Sequence, residues 1–125
     1  MLGKNDLICF AATTNAAAAK AFYSDILGLT LREDGPFALV FDANGVMLRL
    51  QKVQEHDPPP FTALGWRVSD IAATAATLIA KGVIFQFHPG MNQDKNGVWT
   101  TPDSAKVAWF NDPDGNTLSL TEWPT

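Results

Sequence analysis

The feature that most constrains this chain is an order of elements that runs twice along its 125 residues: a short apolar strand, a capped helix stopped by glycine, then three more strand-like runs. In the first pass residues 7–11 are apolar and strand-like, and Asn15 is placed to cap a helix. From Ala19 the larger apolar side chains fall at Phe22, Tyr23, Ile26 and Leu27, the spacing of one buried helical face, and Gly28 supplies a left-handed stop. Strands are expected over 29–32, 37–41 and 46–50, separated by Asp34-Gly35-Pro36 and by Asn44-Gly45, a strong two-residue hairpin signal. In the second pass a strand over 64–68 leads to Asp70 as cap, to Ile71, Ala75, Leu78 and Ile79 on one helical face, and to Gly82 as stop. Strands are expected over 83–87, 106–110 and 117–121, the last two joined by Asp112-Pro113-Asp114-Gly115-Asn116. Cap and glycine stand 13 positions apart in the first pass and 12 in the second, so the chain reads as a duplicated βαβββ unit.

Between the passes, residues 54–60 are polar and include three successive prolines, which fix φ and remove three backbone donors, so the stretch reads as a stiff linker. The fold class expected is α+β, with two βαβββ modules forming a curved mixed sheet. Its 125 residues suit one domain, with modules over 6–53 and 62–123 and a linker over 54–61. Residues 89–103 read as a long loop, in which Trp99 is either a lid residue or the side chain that pins the loop to the body. Cys9, the one cysteine, lies in an apolar run and reads as an inert buried thiol.

A net charge of −4 and a pI near 4.9 give no basic field for a polyanion, so nucleic acid is not an expected partner. No apolar run approaches the roughly 20 residues of a membrane span, and the first six residues lack the pattern of a signal peptide, so no membrane partner and a cytoplasmic address are expected.

Two stretches resemble the vicinal oxygen chelate superfamily, which includes glyoxalase I, extradiol dioxygenases, fosfomycin-resistance proteins and bleomycin-binding proteins. Residues 21–29, Ala-Phe-Tyr-Ser-Asp-Ile-Leu-Gly-Leu, are similar to its FY-x-x-x-LG helix end, and residues 109–116, Trp-Phe-Asn-Asp-Pro-Asp-Gly-Asn, to its F-x-DPDGN hairpin. Both have structural jobs, packing and turning, so the likeness bears on fold and leaves the reaction open. It also implies a homodimer, with or without exchange of halves.

In metal-dependent relatives four strands supply His, Gln or Glu to one cavity. Counted from the motifs, those positions hold Ile8, Ala63, Ser119 and a residue near Met47 or Arg49, and neither isoleucine, alanine nor arginine is a donor for a divalent ion. The expectation is that there is no metal site and no cofactor. Glu122 falls an odd number of residues beyond Ser119 and is assigned a surface or edge role. His88 is the one weak candidate for a general base, against the ordinary structural role of a lone histidine at a strand end.

Alternation from the implied ligand positions puts Ile8, Phe10, Met47, Arg49, Gln51, Gly65, Arg67, Ser119, Thr121 and Trp123 on the cavity face, and Leu7, Cys9, Leu48, Leu50, Leu64, Trp66, Val68, Leu118 and Leu120 on the other. The ligand-binding candidates are Phe10, Met47, Arg49, Arg67, Trp99, Ser119 and Trp123. Apolar and aromatic walls with two guanidinium groups suit a small aromatic or anionic molecule, although Arg49 and Arg67 equally fit a rim position, paired with acidic residues or water. Three function classes stand open: a metal-independent small-molecule binding protein, a lyase, isomerase or dioxygenase of the superfamily, and a non-catalytic interaction domain. Whether the chain is an enzyme, and what its ligand is, the residues leave undecided.

Overall fold

Asn15 caps its helix as its position predicts: in the computed structural model of the protein, which describes residues 1–125, its side chain accepts a hydrogen bond from the backbone N–H of Ala18. The chain divides into two compact units, Met1–Asp57 and Pro58–Thr125. In the first, β1 (Ile8–Thr13) precedes α1 (Ala16–Ala21), and β2 (Thr30–Asp34), β3 (Ala38–Ala43) and β4 (Val46–Lys52) follow. Their sheet has the order β1-β4-β3-β2, with β1 parallel to β4 and the other pairs antiparallel. Asn44 and Gly45 both take positive φ, at 51° and 89°, as the predicted hairpin turn requires.

Three expectations in this unit are corrected, the first being Cys9, whose thiol is only partly buried on its strand. Leu7 precedes the first paired residue, so nothing fixes its direction, and it is 73% exposed where a helix-facing position was expected. The helix is not α throughout, because Phe22–Ile26 form a π turn in which the N–H of Leu27 donates to the carbonyl of Phe22. Apolar residues at 22, 23, 26 and 27 fit either ladder, so periodicity could not separate them. Phe22 and Tyr23 are both buried and meet edge-on at 5.4 Å, and Tyr23 packs on Phe41 at 5.7 Å. Leu39, Leu48 and Leu50 complete this core.

The second unit holds β5 (Thr62–Arg67), α2 (Ile71–Ala80), β6 (Trp99–Thr100), β7 (Lys106–Asn111) and β8 (Thr117–Glu122), in the sheet order β5-β8-β7-β6 with β5 parallel to β8. Asp70 caps α2 by accepting from the N–H of Ala73, and Ile71, Ala75 and Leu78 are buried. Ile79 is 40% exposed, one position too far round the helix for the face predicted for it. Glu122 reaches the same helix end, its Oε1 accepting from the N–H of Ile71 at 2.9 Å.

The largest departure is at the sheet edge. No strand forms over 83–87, where only Phe85 bridges to Phe110, and β6 arises inside the segment expected to be a loop. Polar side chains organise that segment. Gln93 donates to the carbonyls of Gln86 and Gly97 and accepts from the N–H of His88, while Asp94 accepts from Asn96 and Val98. Gly97 sits at φ +87°, and a Cβ there would lie 3.0 Å from that of Phe85. The Asp112 turn is built the same way: Oδ1 accepts from the N–H groups of Asp114 and Asn116, and Oδ2 from the Asn116 amide.

Candidate ligand-binding faces

In the first unit Leu48 and Leu50 point into the core, so alternation turns Met47 and Arg49 to the opposite face of β4. The parallel register pairs Ile8 with Met47 and Phe10 with Arg49, and the neighbouring strand adds Asp42 beside Met47 and Val40 beside Arg49. The predicted residues Phe10, Met47 and Arg49 thus share one face. It is apolar and open, with Ile8, Phe10 and Met47 each 42–53% exposed. A depression of about 410 Å³ lies over Ile8, Met47 and Asp42, and Arg32 stands at its rim with Nη2 3.9 Å from the Asp42 carboxylate.

The corresponding face of the second unit is aromatic. Ala108, Phe110, Leu118 and Leu120 are buried on the core side, which leaves two rows on the other. One row runs Gly65, Ser119, Trp109; the next runs Arg67, Thr121, Val107, Trp99. Trp99 and Trp109 stack with centroids 6.2 Å apart and planes 27° from parallel, and the His88 ring meets Trp109 edge-on at 5.5 Å. Trp99 is held in β6 rather than carried on a free loop, and the Gln93 bond fixes the His88 backbone beside it. Arg67 and Trp123 line a depression of about 330 Å³ at the end of the sheet. The structure therefore brings Arg67, Trp99, Ser119 and His88 to one side of this unit, with Trp123 beside Arg67 at the end of the sheet.

Trp109 was absent from the predicted set, although the signal was available. Extending alternation from the apolar pair Ala108 and Phe110 to their neighbour would have placed its ring beside Ser119. Neither Arg49 nor Arg67 forms an ion pair, in contrast to Asp34, which takes Lys52 at 2.7 Å and Lys20 at 3.4 Å. The Lys52 ammonium, helped by Lys20, holds the Asp34 carboxyl below the usual carboxylate range, while partial loss of water pushes the other way.

The donor set does not fit a divalent metal. Ile8 and Met47 are paired on one sheet, Ser119 pairs with Gly65 on the other, and Ala63 falls at a register shift in β5. These offer a thioether and a hydroxyl but no imidazole or carboxylate, and nowhere do three His, Cys, Asp or Glu side chains converge. No helix is long and apolar enough to cross a membrane.

The sequence model of the Glyoxalase/Bleomycin resistance protein/Dioxygenase superfamily matches residues 8–120. Among solved structures, a putative glyoxalase family protein from Bacillus anthracis is 16% identical, with a TM-score of 0.75 over 97% of this chain and 96% of its own. TnmS3, an antibiotic binding protein from Streptomyces sp. CB03234, is 23% identical, with a TM-score of 0.73 over 99% of both chains. Lactoylglutathione lyase from Agrobacterium tumefaciens is 19% identical, with a TM-score of 0.70 over 93% and 92%. At these identities the likeness is one of fold. No match was found among curated proteins.

Proposed function

The chain belongs to the Glyoxalase/Bleomycin resistance protein/Dioxygenase superfamily, and we propose that within it this protein is a metal-independent binder of a small aromatic or anionic molecule. One observation carries the reading: the sheet face where metal-dependent relatives are expected to place ligands holds stacked tryptophans and an arginine without an acidic partner, in a residue set that offers no divalent ion its donors. Aromatic walls supply apolar contact area, and a free guanidinium supplies orientation through paired hydrogen bonds. An antibiotic binding protein among the solved structures of this fold agrees with such a use.

A catalytic reading, as a lyase, isomerase or dioxygenase of the superfamily, rests on His88, the one imidazole on the aromatic face. Acid–base work without a metal would fall to it. A thermal-shift screen against aromatic carboxylates, sulfonates and antibiotics tests the binding reading. Stabilisation of several degrees by at least one compound is the expected result, and a flat response across the panel would contradict it.

Assembly as a homodimer belongs to the same proposal, because Ile8, Phe10 and Met47 leave an apolar sheet face open in the first unit. A cytoplasmic address suits a chain whose one cysteine, Cys9, has no partner thiol.

A further inference from the structure

We infer that the open sheet face of the second unit selects a flat, multi-ring aromatic anion, with its rings on Trp109 and Trp99 and its oxyanion at Arg67. The inference rests on the binding function proposed above and specifies the ligand. Four observations define it. The two indoles stack at 6.2 Å and 27°, so they form a preordered π-stacked platform onto which a further flat ring can add. His88, edge-on to Trp109 and with its backbone N–H bonded to Gln93, closes one side.

The third observation is the floor between platform and arginine. Gly65 lies beside Ser119, and a Cβ at Gly65 would come within 2.7 Å of the Ser119 hydroxyl oxygen, so the absence of a side chain at 65 keeps the floor low and any side chain there would have to displace that hydroxyl. Fourth, Arg67 stands on β5, two strands from Trp109 on β7, and has no carboxylate partner. At about 4.8 Å per strand and 3.4 Å per residue, two strands over and two residues along, ring and guanidinium are anchored about 12 Å apart on the sheet diagonal. A single ring bearing its carboxylate directly spans less than that. A fused polycycle with an acidic group at one end lies along the flat floor and meets both anchors, the guanidinium accepting no proton and donating two parallel hydrogen bonds to the oxyanion.

Fluorescence titration of the full chain with 1-pyrenecarboxylate, its neutral counterpart 1-pyrenemethanol, and benzoate tests this. Pyrenecarboxylate should bind about tenfold or more tighter than either of the others. Arg67→Gln should bring pyrenecarboxylate down to the level of pyrenemethanol and leave pyrenemethanol unchanged, whereas Lys81→Gln, an equal change of charge elsewhere, should alter neither. Trp109→Leu should weaken both pyrenes about tenfold, and Gly65→Ala should weaken both while circular dichroism shows a folded chain. Equal binding of the three compounds, or full discrimination surviving in Arg67→Gln, would overturn the inference. If pyrenes fail while another aromatic acid stabilises the protein in the thermal-shift screen, this ligand class is wrong and the binding function stands. If nothing binds in either experiment, both fall.

Discussion

Asp112 is the one buried charged side chain, and three donors converge on its carboxylate from within its own turn. Removing it strands those donors, so Asp112→Ala should cost about 2–4 kcal/mol in urea denaturation, with Asp112→Asn intermediate. Glu122, assigned a surface or edge role by its register, has a specific one: its bond to the Ile71 N–H makes it a helix cap, and Glu122→Ala should cost about 1 kcal/mol with Glu122→Gln milder. Asp34 gives a pH prediction. Its carboxyl is held below the ordinary range chiefly by Lys52, so the small stabilisation from the ion pair is fully present above the unfolded value near 3.9 and disappears as pH falls through the lower folded value. Carboxyl NMR titration should find Asp34 returning toward the ordinary range in Lys52→Met. Such roles were only partly legible in the sequence. Caps announced themselves by spacing, as at Asn15 and Asp70, whereas the Asp34 pair joins positions whose meeting depends on the sheet.

At the scale of elements, what the sequence could carry was set by where apolar periodicity does the work. The helices and central strands are held by buried faces, and these were legible to within one or two residues. The edge of the second sheet was not, because residues 86–98 are held by Gln93 and Asp94 bonding to backbone groups, a pattern without hydrophobic period. That construction makes Gly97 a point of dependence. Gly97→Ala forces a Cβ against Phe85 at a positive φ, and it should cost about 1–3 kcal/mol while shifting tryptophan emission as the Trp99 stack loosens. An unchanged midpoint and spectrum would mean that β6 does not rely on this turn.

For the whole molecule, the duplicated order of elements was the strongest signal in the chain, and it led to a family whose motifs lie in a helix end and a turn. Those motifs specify packing, so they identify the fold and leave its use to the faces between them. The candidate faces were half legible: alternation placed Arg49, Arg67 and Ser119, and Trp109 was missed because the counting stopped at the strands that hold ligands in relatives. The open apolar face of the first unit predicts association, and sedimentation velocity at micromolar concentration should give a dimer that Met47→Asp or Phe10→Asp converts to monomer. Binding without a metal is open to direct test. The most direct measurement is calorimetric titration of the best ligand from the thermal-shift screen into protein stripped with EDTA, then repeated with added zinc, nickel, manganese or iron(II). The same affinity is expected throughout, with no divalent ion bound at one per chain in the purified protein. Binding lost with EDTA and restored by one of those ions would contradict it.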